Sequence, residues 1–431
     1  MGSHRRGARP HQRRPPRRGD PLSPISVEQH LSRVVGTVRP LDPLRVATID
    51  ALGLVLTAPV RSAVDLPGFD NSAMDGYAVV AADLAGATPD APVALPVLGD
   101  IPAGDTERHT LTAGSCWRIM TGAPVPEGAD AVVQVELTDA GVQRVQVRAE
   151  VAVGTAVRRA GEDVRKGDLV LDAGVRLLPH HIAACVAAGA ADVEVRPAPR
   201  VAVITTGDEL VPVGAPLRHG QIHDSNGPML AAAVRACGAV VASLVHVGDR
   251  DDESLADVVR RVAGDADAIV TSGGISAGAY EPVKEAFASG DAVRFDSVAM
   301  QPGKPQGFGL VGDGVPLFAL PGNPVSSLVS FETFVVPALR CMAGRDQARV
   351  SWRASVTRGW RSPAGRVQLA RVLLTRSAGG WQVEPSGAQG SHILGGLAAA
   401  NAIAVIAADV DVVREGDEVD VHLLPGEEIP S

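Results

Sequence analysis

Between Ala268 and Gly307 an apolar segment, AIVTS, breaks into GGISAGA. A helical stretch follows with Pro282 near its first turn, and then a second glycine loop, QPGKPQGFG. A buried strand that ends in glycines and hands over to a helix leaves backbone N–H groups bare at the helix start, where phosphates and other anions bind. Glycine suits such a loop because a side chain would hold the anion off the backbone. Strand–glycine–helix joints also occur in any α/β domain, so the joint alone leaves both readings open. Lys166, Lys284 and Lys304 are the only lysines in an otherwise arginine-based chain. Lys284 and Lys304 follow the glycine loops, and an ammonium is a compact point charge where a planar guanidinium does not fit every phosphate site. GKP is not a P-loop, because Val298 stands at the first glycine position and Pro305 replaces Ser/Thr.

The segment ends TTGDE and GDRDD carry Asp208, Glu209, Asp249, Asp251 and Asp252, and Asp224 in HDSN and Glu281 after the TSGG loop add to them. Carboxylates repel a phosphate unless a cation stands between them, and hard oxygen ligands suit Mg²⁺. The combination reads as a metal-assisted phosphate or phosphoanhydride site, with Ser272, Ser276, Ser326 and Ser327 as neutral donors. The competing reading is that the acids start helices and favour the dipole, which fits Asp251 and Asp252 best. No HExxH is present.

Positioning these residues calls for strand–loop–helix units. RVAVITT, VASLVHV, DAIVTS and PLFALPGNPVSS recur at βαβ spacing, which predicts a doubly wound, mostly parallel α/β sheet with ligands at the carboxyl ends of its strands. Residues 92–152, and the chain from about Ser351, read instead as short alternating strands with frequent turns, as β modules do. A helix begins after Ser26, and Pro40 and Pro43 break it.

With 431 residues, two to four domains are expected. A hydrophobic fraction of 45% with only 3% aromatics implies cores of Ala, Val and Leu. The net charge of −9 argues against nucleic acid as a partner. Residues 1–20, rich in Arg and Pro, read as a disordered basic tail. No apolar run of transmembrane length and no signal peptide is expected, hence no membrane partner. Cys116, Cys185, Cys237 and Cys341 are scattered, as for reduced thiols in a cytoplasmic protein without structural zinc.

DNSAMDGYA (70–78), RIMTGAPVPEGADAVV (118–133), TTGDELV (205–211), HDSNGPML (223–230), SGGISAG (272–278), QPGKP (301–305) and LPGNPVS (320–326) occur in that order. Together they resemble the molybdopterin molybdenumtransferase (MoeA) family, whose animal counterpart is the C-terminal domain of gephyrin. The resemblance covers about residues 22–425. It implies an elongated discontinuous N-terminal domain (21–60 and 153–178), an inserted β domain (61–152), a molybdopterin-binding α/β domain (179–345) and a barrel-like C-terminal β domain (346–431), in a homodimer. It also implies an enzyme of molybdenum cofactor biosynthesis that takes adenylyl-molybdopterin and molybdate, with Mg²⁺, to molybdenum cofactor and AMP. Candidate protein partners are the molybdopterin adenylyltransferase and the molybdoenzymes.

Matched by position, Asp75, Thr121, Glu209, Asp249 and Glu281 are the expected catalytic residues, and Glu209, Asp249 and Asp163 the expected metal ligands. The expected substrate contacts are Ser272, Gly273, Gly274, Ser276 and Lys284 after the first loop, then Gln301, Gly303 and Lys304. Pro321, Gly322, Asn323, Pro324 and Ser326 follow, and Ser391 joins them from the C-terminal module. Glu281 and Gln301 depart from the Asp and Lys common in the family. Two rivals share part of this pattern. A molybdopterin adenylyltransferase would not need the DNSAMDGYA or C-terminal modules, and a non-catalytic scaffold would not need Asp75, Glu209 and Asp249 intact.

Overall fold

Within strand Arg200–Thr206, RVAVITT, the run Val201–Ile204 is apolar without a break, and a strand alternates its side chains between two faces. Val201 and Val203 enter one core and Ala202 and Ile204 another. A strand apolar on both faces must be covered on both, and it is. The computed structural model describes residues 24–248, 251, 253–276, 281–287 and 292–428, so the basic tail and Asp249 lie outside the described residues. Residues up to Leu41 together with Ala198 onward form one compact unit, and Asp42–Pro197 form a second.

In the first unit six strands lie in the order Val240–Val247, Arg200–Thr206, Ala268–Ser272, Val315–Leu320, Pro305–Val311 and Val293–Ser297. The first four are parallel, Pro305–Val311 runs against them, and Val293–Ser297 runs against Pro305–Val311 in turn. Helix Asn226–Ala236 and the helical run 324–342 cover one face; Leu255–Ala263 and Pro282–Phe287 cover the other. This is the doubly wound, mostly parallel architecture that the sequence predicts.

Helix Val27–Thr37 starts at a capping box, with Ser26 Oγ accepting from Gln29 N–H at 3.1 Å and Gln29 Oε1 accepting from Ser26 N–H at 2.9 Å. Its Val34 and neighbouring Val38 are buried in the α/β core beside Phe331 and Leu339. The sequence reading groups 21–60 with 153–178; the packing divides that segment, because this apolar stripe is covered by the α/β unit.

Run 324–342 includes a π-helical turn over Phe331–Val335. Among the described residues it is the one helix long and apolar enough to cross a membrane, against the expectation that no run reaches that length. It is 83% buried inside the protein, as a core helix is.

The C-terminal strands Val367–Ser377, Gly380–Pro385, Trp352–Val356, Glu418–Leu423 and Ala402–Ile406 form a sheet whose last strand pairs back onto the first, closing a β-barrel around Val372, Val383, Ala404 and Val421. Met300–Gln301, at the head of the QPGKP loop, adds to this sheet in parallel register opposite Val367–Gln368.

The second unit holds a five-stranded sheet in the order Ala131–Gln134, Gly76–Val79, Cys116–Ile119, Val93–Ile101 and Arg144–Val147, packed around Tyr77, Val133 and Val145. Helix Pro179–Ala187 and strand Asp192–Arg196 also belong here, although the sequence reading begins the α/β domain at 179. The strand pairs with Leu44–Ala47 and Val55–Leu56, and Cys185 and Val195 share a core with Leu56 and Leu177.

Candidate functional site

Three parallel strands of the first unit end side by side, at Thr206, Ser272 and Leu320, and their loops line a cavity of about 640 Å³. That volume suits a small-molecule or cofactor site, and its place at the carboxyl ends of the strands is where open α/β sheets bind ligands.

The glycines are required by close approach. Gly273 and Gly274 hold φ of 103° and 66°, and a Cβ on Gly273 would meet the Thr206 Oγ1 at 2.9 Å. Gly273 N–H donates to the Leu320 carbonyl at 3.1 Å, so the second and third loops touch. The Gly274 N–H makes no hydrogen bond to the described residues, and Gly274, only partly buried, lines the cavity. The third loop, Pro321-Gly322-Asn323, leads into the helix at Pro324, whose first-turn N–H groups lack helical partners. Ser326 lines the cavity from that turn. Asn323 Nδ2 donates to Ser391 Oγ at 3.0 Å, which holds the C-terminal module's serine at the cavity wall.

Ser272 is engaged internally. Its Oγ accepts from Asn226 Nδ2 at 2.9 Å and lies 3.1 Å from Ser327 Oγ and 3.4 Å from the Pro321 carbonyl. With its hydroxyl committed in this way, Ser272 is a framework residue of the wall. Ser276 is clamped from both sides of its peptide: its N–H donates to Glu281 Oε2 at 2.6 Å, and its carbonyl accepts from the Lys284 ammonium. Glu281 lines the cavity, whereas Lys284 is turned to the loop and does not.

In the QPGKP loop, Gln301, Gly303 and Lys304 all line the cavity. The loop is pinned by Gln306, which is buried and whose Nε2 donates to the Gly303 carbonyl at 2.7 Å and to Ser330 Oγ at 2.6 Å. A Cβ on Gly303 would strike Ser330 Oγ at 2.8 Å.

Lys304 is exposed, and its ammonium engages no described residue. Arg366, just before strand Val367–Ser377, lines the same cavity, exposed and equally unengaged. These two cations face three cavity-lining acids: Glu209, Asp224 and Glu281. Asp224 is structural, accepting from the Thr205 hydroxyl at 2.7 Å and from Gly227 N–H at 3.0 Å, where it starts helix Asn226–Ala236. The Glu209 carboxylate is exposed and pairs with no described residue.

The acids expected to hold Mg²⁺ are therefore divided. Glu209 lines the cavity, Asp163 is an exposed residue of the 42–197 unit, and Asp249 lies outside the described residues. Among the described residues no group of three or more His, Cys, Asp or Glu side chains could cage a metal. Mg²⁺ needs only one or two carboxylates when substrate phosphates complete its shell, and Glu209 is a fitting oxygen donor of that kind.

Asp75 and Thr121 belong to the 42–197 unit. Asp75 Oδ1 accepts from Thr121 N–H at 2.6 Å and from Thr121 Oγ1 at 2.7 Å. Those bonds, the backbone one first, hold the Asp75 carboxyl below its ordinary pKa, so it is a carboxylate at neutral pH.

Sequence reasoning did not single out Arg366, Gln389, Thr206 or Asn226 as cavity residues. HDSN carries a signal for Asn226, as a polar loop directly before a helix. Arg366 has none, since it precedes an ordinary alternating strand far along the chain.

Three family models match the chain in order: the MoeA N-terminal region (domain I and II) over residues 25–189, the probable molybdopterin binding domain over 202–341, and the MoeA C-terminal region (domain IV) over 353–424. Molybdopterin molybdenumtransferase 2 of Mycobacterium tuberculosis is 48% identical over 403 residues, covering 92% of this chain and 98% of the relative. The molybdopterin molybdenumtransferase of Staphylococcus epidermidis is 31% identical, covering 93% of this chain and 96% of the relative. Among solved structures, the molybdopterin biosynthesis MoeA protein from Pyrococcus horikosii superposes with a TM-score of 0.76 at 32% identity, covering 94% of this chain and 100% of that one. A cavity built from three glycine-bearing strand ends, on a chain matched nearly end to end by these relatives, places it plainly: the chain belongs to the MoeA family of molybdopterin molybdenumtransferases.

Proposed function

We propose that this chain is a molybdenum insertase of molybdenum cofactor biosynthesis, transferring molybdate into adenylyl-molybdopterin with Mg²⁺-dependent release of AMP. The observation that carries the reading is the cavity itself, whose wall combines glycine loops, two cations, Lys304 and Arg366, and the Glu209 carboxylate, none of these charged groups engaging a described residue. The first two suit anions, the phosphoanhydride and molybdate; the third suits a cation bridging to them.

In this reading Glu209 and Asp249 hold Mg²⁺, which when bound neutralises charge on the phosphoanhydride oxygens. Lys304 and Arg366 draw the anionic substrates in, and the Gly273–Gly274 and Gly322–Asn323 backbones orient them. Water cleaves the phosphoanhydride, AMP leaves, and the two pterin thiols displace oxide from molybdate, which departs as water with the thiol protons. Asp75 and Thr121 act in the same reaction from the 42–197 unit. We further propose a cytoplasmic homodimer; all four cysteines are unpaired, as suits a reducing compartment.

The test is direct. Purified protein mixed with adenylyl-molybdopterin, molybdate and Mg²⁺ releases AMP, and release stops on chelation of the metal. AMP formation no faster than in the protein-free control would overturn the proposal.

A further inference from the structure

Asn226 opens helix Asn226–Ala236, and its side chain is buried, the residue being 7% exposed. Its carboxamide nitrogen donates twice, to Ser272 Oγ at 2.9 Å and to the Gly322 carbonyl at 2.6 Å. The two acceptors lie on different loops. Ser272 ends one strand immediately before Gly273–Gly274, and Gly322 follows the end of the next. A carboxamide has only two N–H donors, so both are spent on tying these loops to the start of a helix. The loops already lie in van der Waals contact, a Cβ on Gly322 falling 3.4 Å from Gly273 Cα, with the Gly273 N–H bond to Leu320 beside it. That close approach offers little side-chain bulk to fix the spacing, and a single buried amide supplies the fixing instead.

We propose that Asn226 is a positioning residue that locks the two glycine loops into one anion-binding surface. Each loop then presents its backbone N–H groups correctly only while the other is in place. The chemical identity of the substrate rests on the proposed function above, but the locking does not.

Two variants separate this role from a general loss of fold. Asn226→Asp keeps the shape but sets a carboxylate oxygen against the Gly322 carbonyl, which can only accept. Asn226→Ala removes the tie without adding charge, and serves if the Asp variant does not fold. Ser272→Ala breaks one arm only.

Hydrogen exchange on the full-length, ligand-free protein is expected to speed up about tenfold or more in Asn226→Ala at the hydrogen-bonded amides of both loops, Gly273 and Ser276 in one and Ser327 in the other, with strand Arg200–Thr206 unchanged. In Ser272→Ala only the first segment responds. In turnover, Asn226→Ala raises KM for adenylyl-molybdopterin about tenfold while kcat moves less than about threefold, since binding geometry is lost before chemistry. Exchange unchanged in either loop, or a fall in kcat at constant KM, overturns the proposal. Wild-type protein that releases no AMP would sink the proposed function, while the exchange result would still decide the role of Asn226.

Discussion

Thr121 grips a single oxygen of Asp75 twice, through its backbone N–H at 2.6 Å and its hydroxyl at 2.7 Å. The pair joins the DNSAMDGYA loop to the TGAP loop, and it keeps an exposed carboxylate ionised and aimed. Thr121→Val should raise the Asp75 pKa part of the way back toward its ordinary value, because the backbone bond, the larger cause, survives. Because the folded pKa is depressed, the pair's contribution is present at neutral pH and is lost as pH falls through that folded value. An NMR titration of the Asp75 carboxyl checks this, and an unmoved midpoint would show that the hydroxyl bond is idle.

Glu209→Gln should stay folded and lose Mg²⁺-dependent AMP release, because a carboxylate without a partner among the described residues is of use here through its charge. Asp249→Asn should behave in the same way. Metal titrations of turnover test both, and wild-type rate with wild-type Mg²⁺ dependence in either variant would remove that residue from the metal site.

Lys304→Ala should weaken binding of the adenylylated pterin by roughly tenfold, and Lys304→Arg should recover only part of it, since a guanidinium does not replace an ammonium in a tight loop. Calorimetry decides, and equal affinities across the three proteins would make Lys304 a plain surface lysine.

Glu332 sits on the π-helical turn with its carboxylate 2.7 Å from Arg349, yet burial pushes its pKa up to about 7 against that pull. A raised folded pKa means the folded state holds a proton that the unfolded chain has released. The contribution to stability is whole below the ordinary value of 4.5 and drains away as pH rises through about 7. Glu332→Gln should flatten this slope, removing on the order of 3 kcal/mol of pH dependence between pH 4 and 8. Thermal melts across that range would show parallel curves for the two proteins if the residue does not titrate.

Asp75 and Glu209 belong to different compact units. If the enzyme is a homodimer whose sites draw on both chains, mixing inactive Asp75→Ala with inactive Glu209→Ala under subunit exchange should restore activity. The ceiling is about a quarter of wild type, with half the dimers mixed and one site working in each. No recovery after demonstrated exchange would assign both residues to one chain's site.

What was legible in the sequence is what local chemistry writes there. Ser26 and Gln29 announce a capped helix, and the glycines after AIVTS and PLFAL announce loops that approach a ligand by backbone. Glu209 stands where an acid beside such loops is expected to stand. The hydroxyl of Ser272 looked free because nothing local says that Asn226, forty-six positions away, will occupy it. Lys284 had the right type and place for an anion, but its four-carbon stem lets it reach the Ser276 carbonyl instead. The neighbours of helix Val27–Thr37 and strand Asp192–Arg196 were not legible for a similar reason. Amphipathic pattern reveals that an element needs a cover, not which cover it will find.

The parallel pairing of Met300–Gln301 with Val367–Gln368 acts as a ruler. Lys304 follows one strand by three residues and Arg366 precedes the other by one, so the distance between the cavity's two cations is measured out by a ladder of backbone hydrogen bonds. Inserting or deleting one residue in either strand would reset that distance and turn every side chain beyond it to the opposite face. The C-terminal barrel is thereby a caliper for charge, and its register matters to the ligand as much as any side chain the ligand touches.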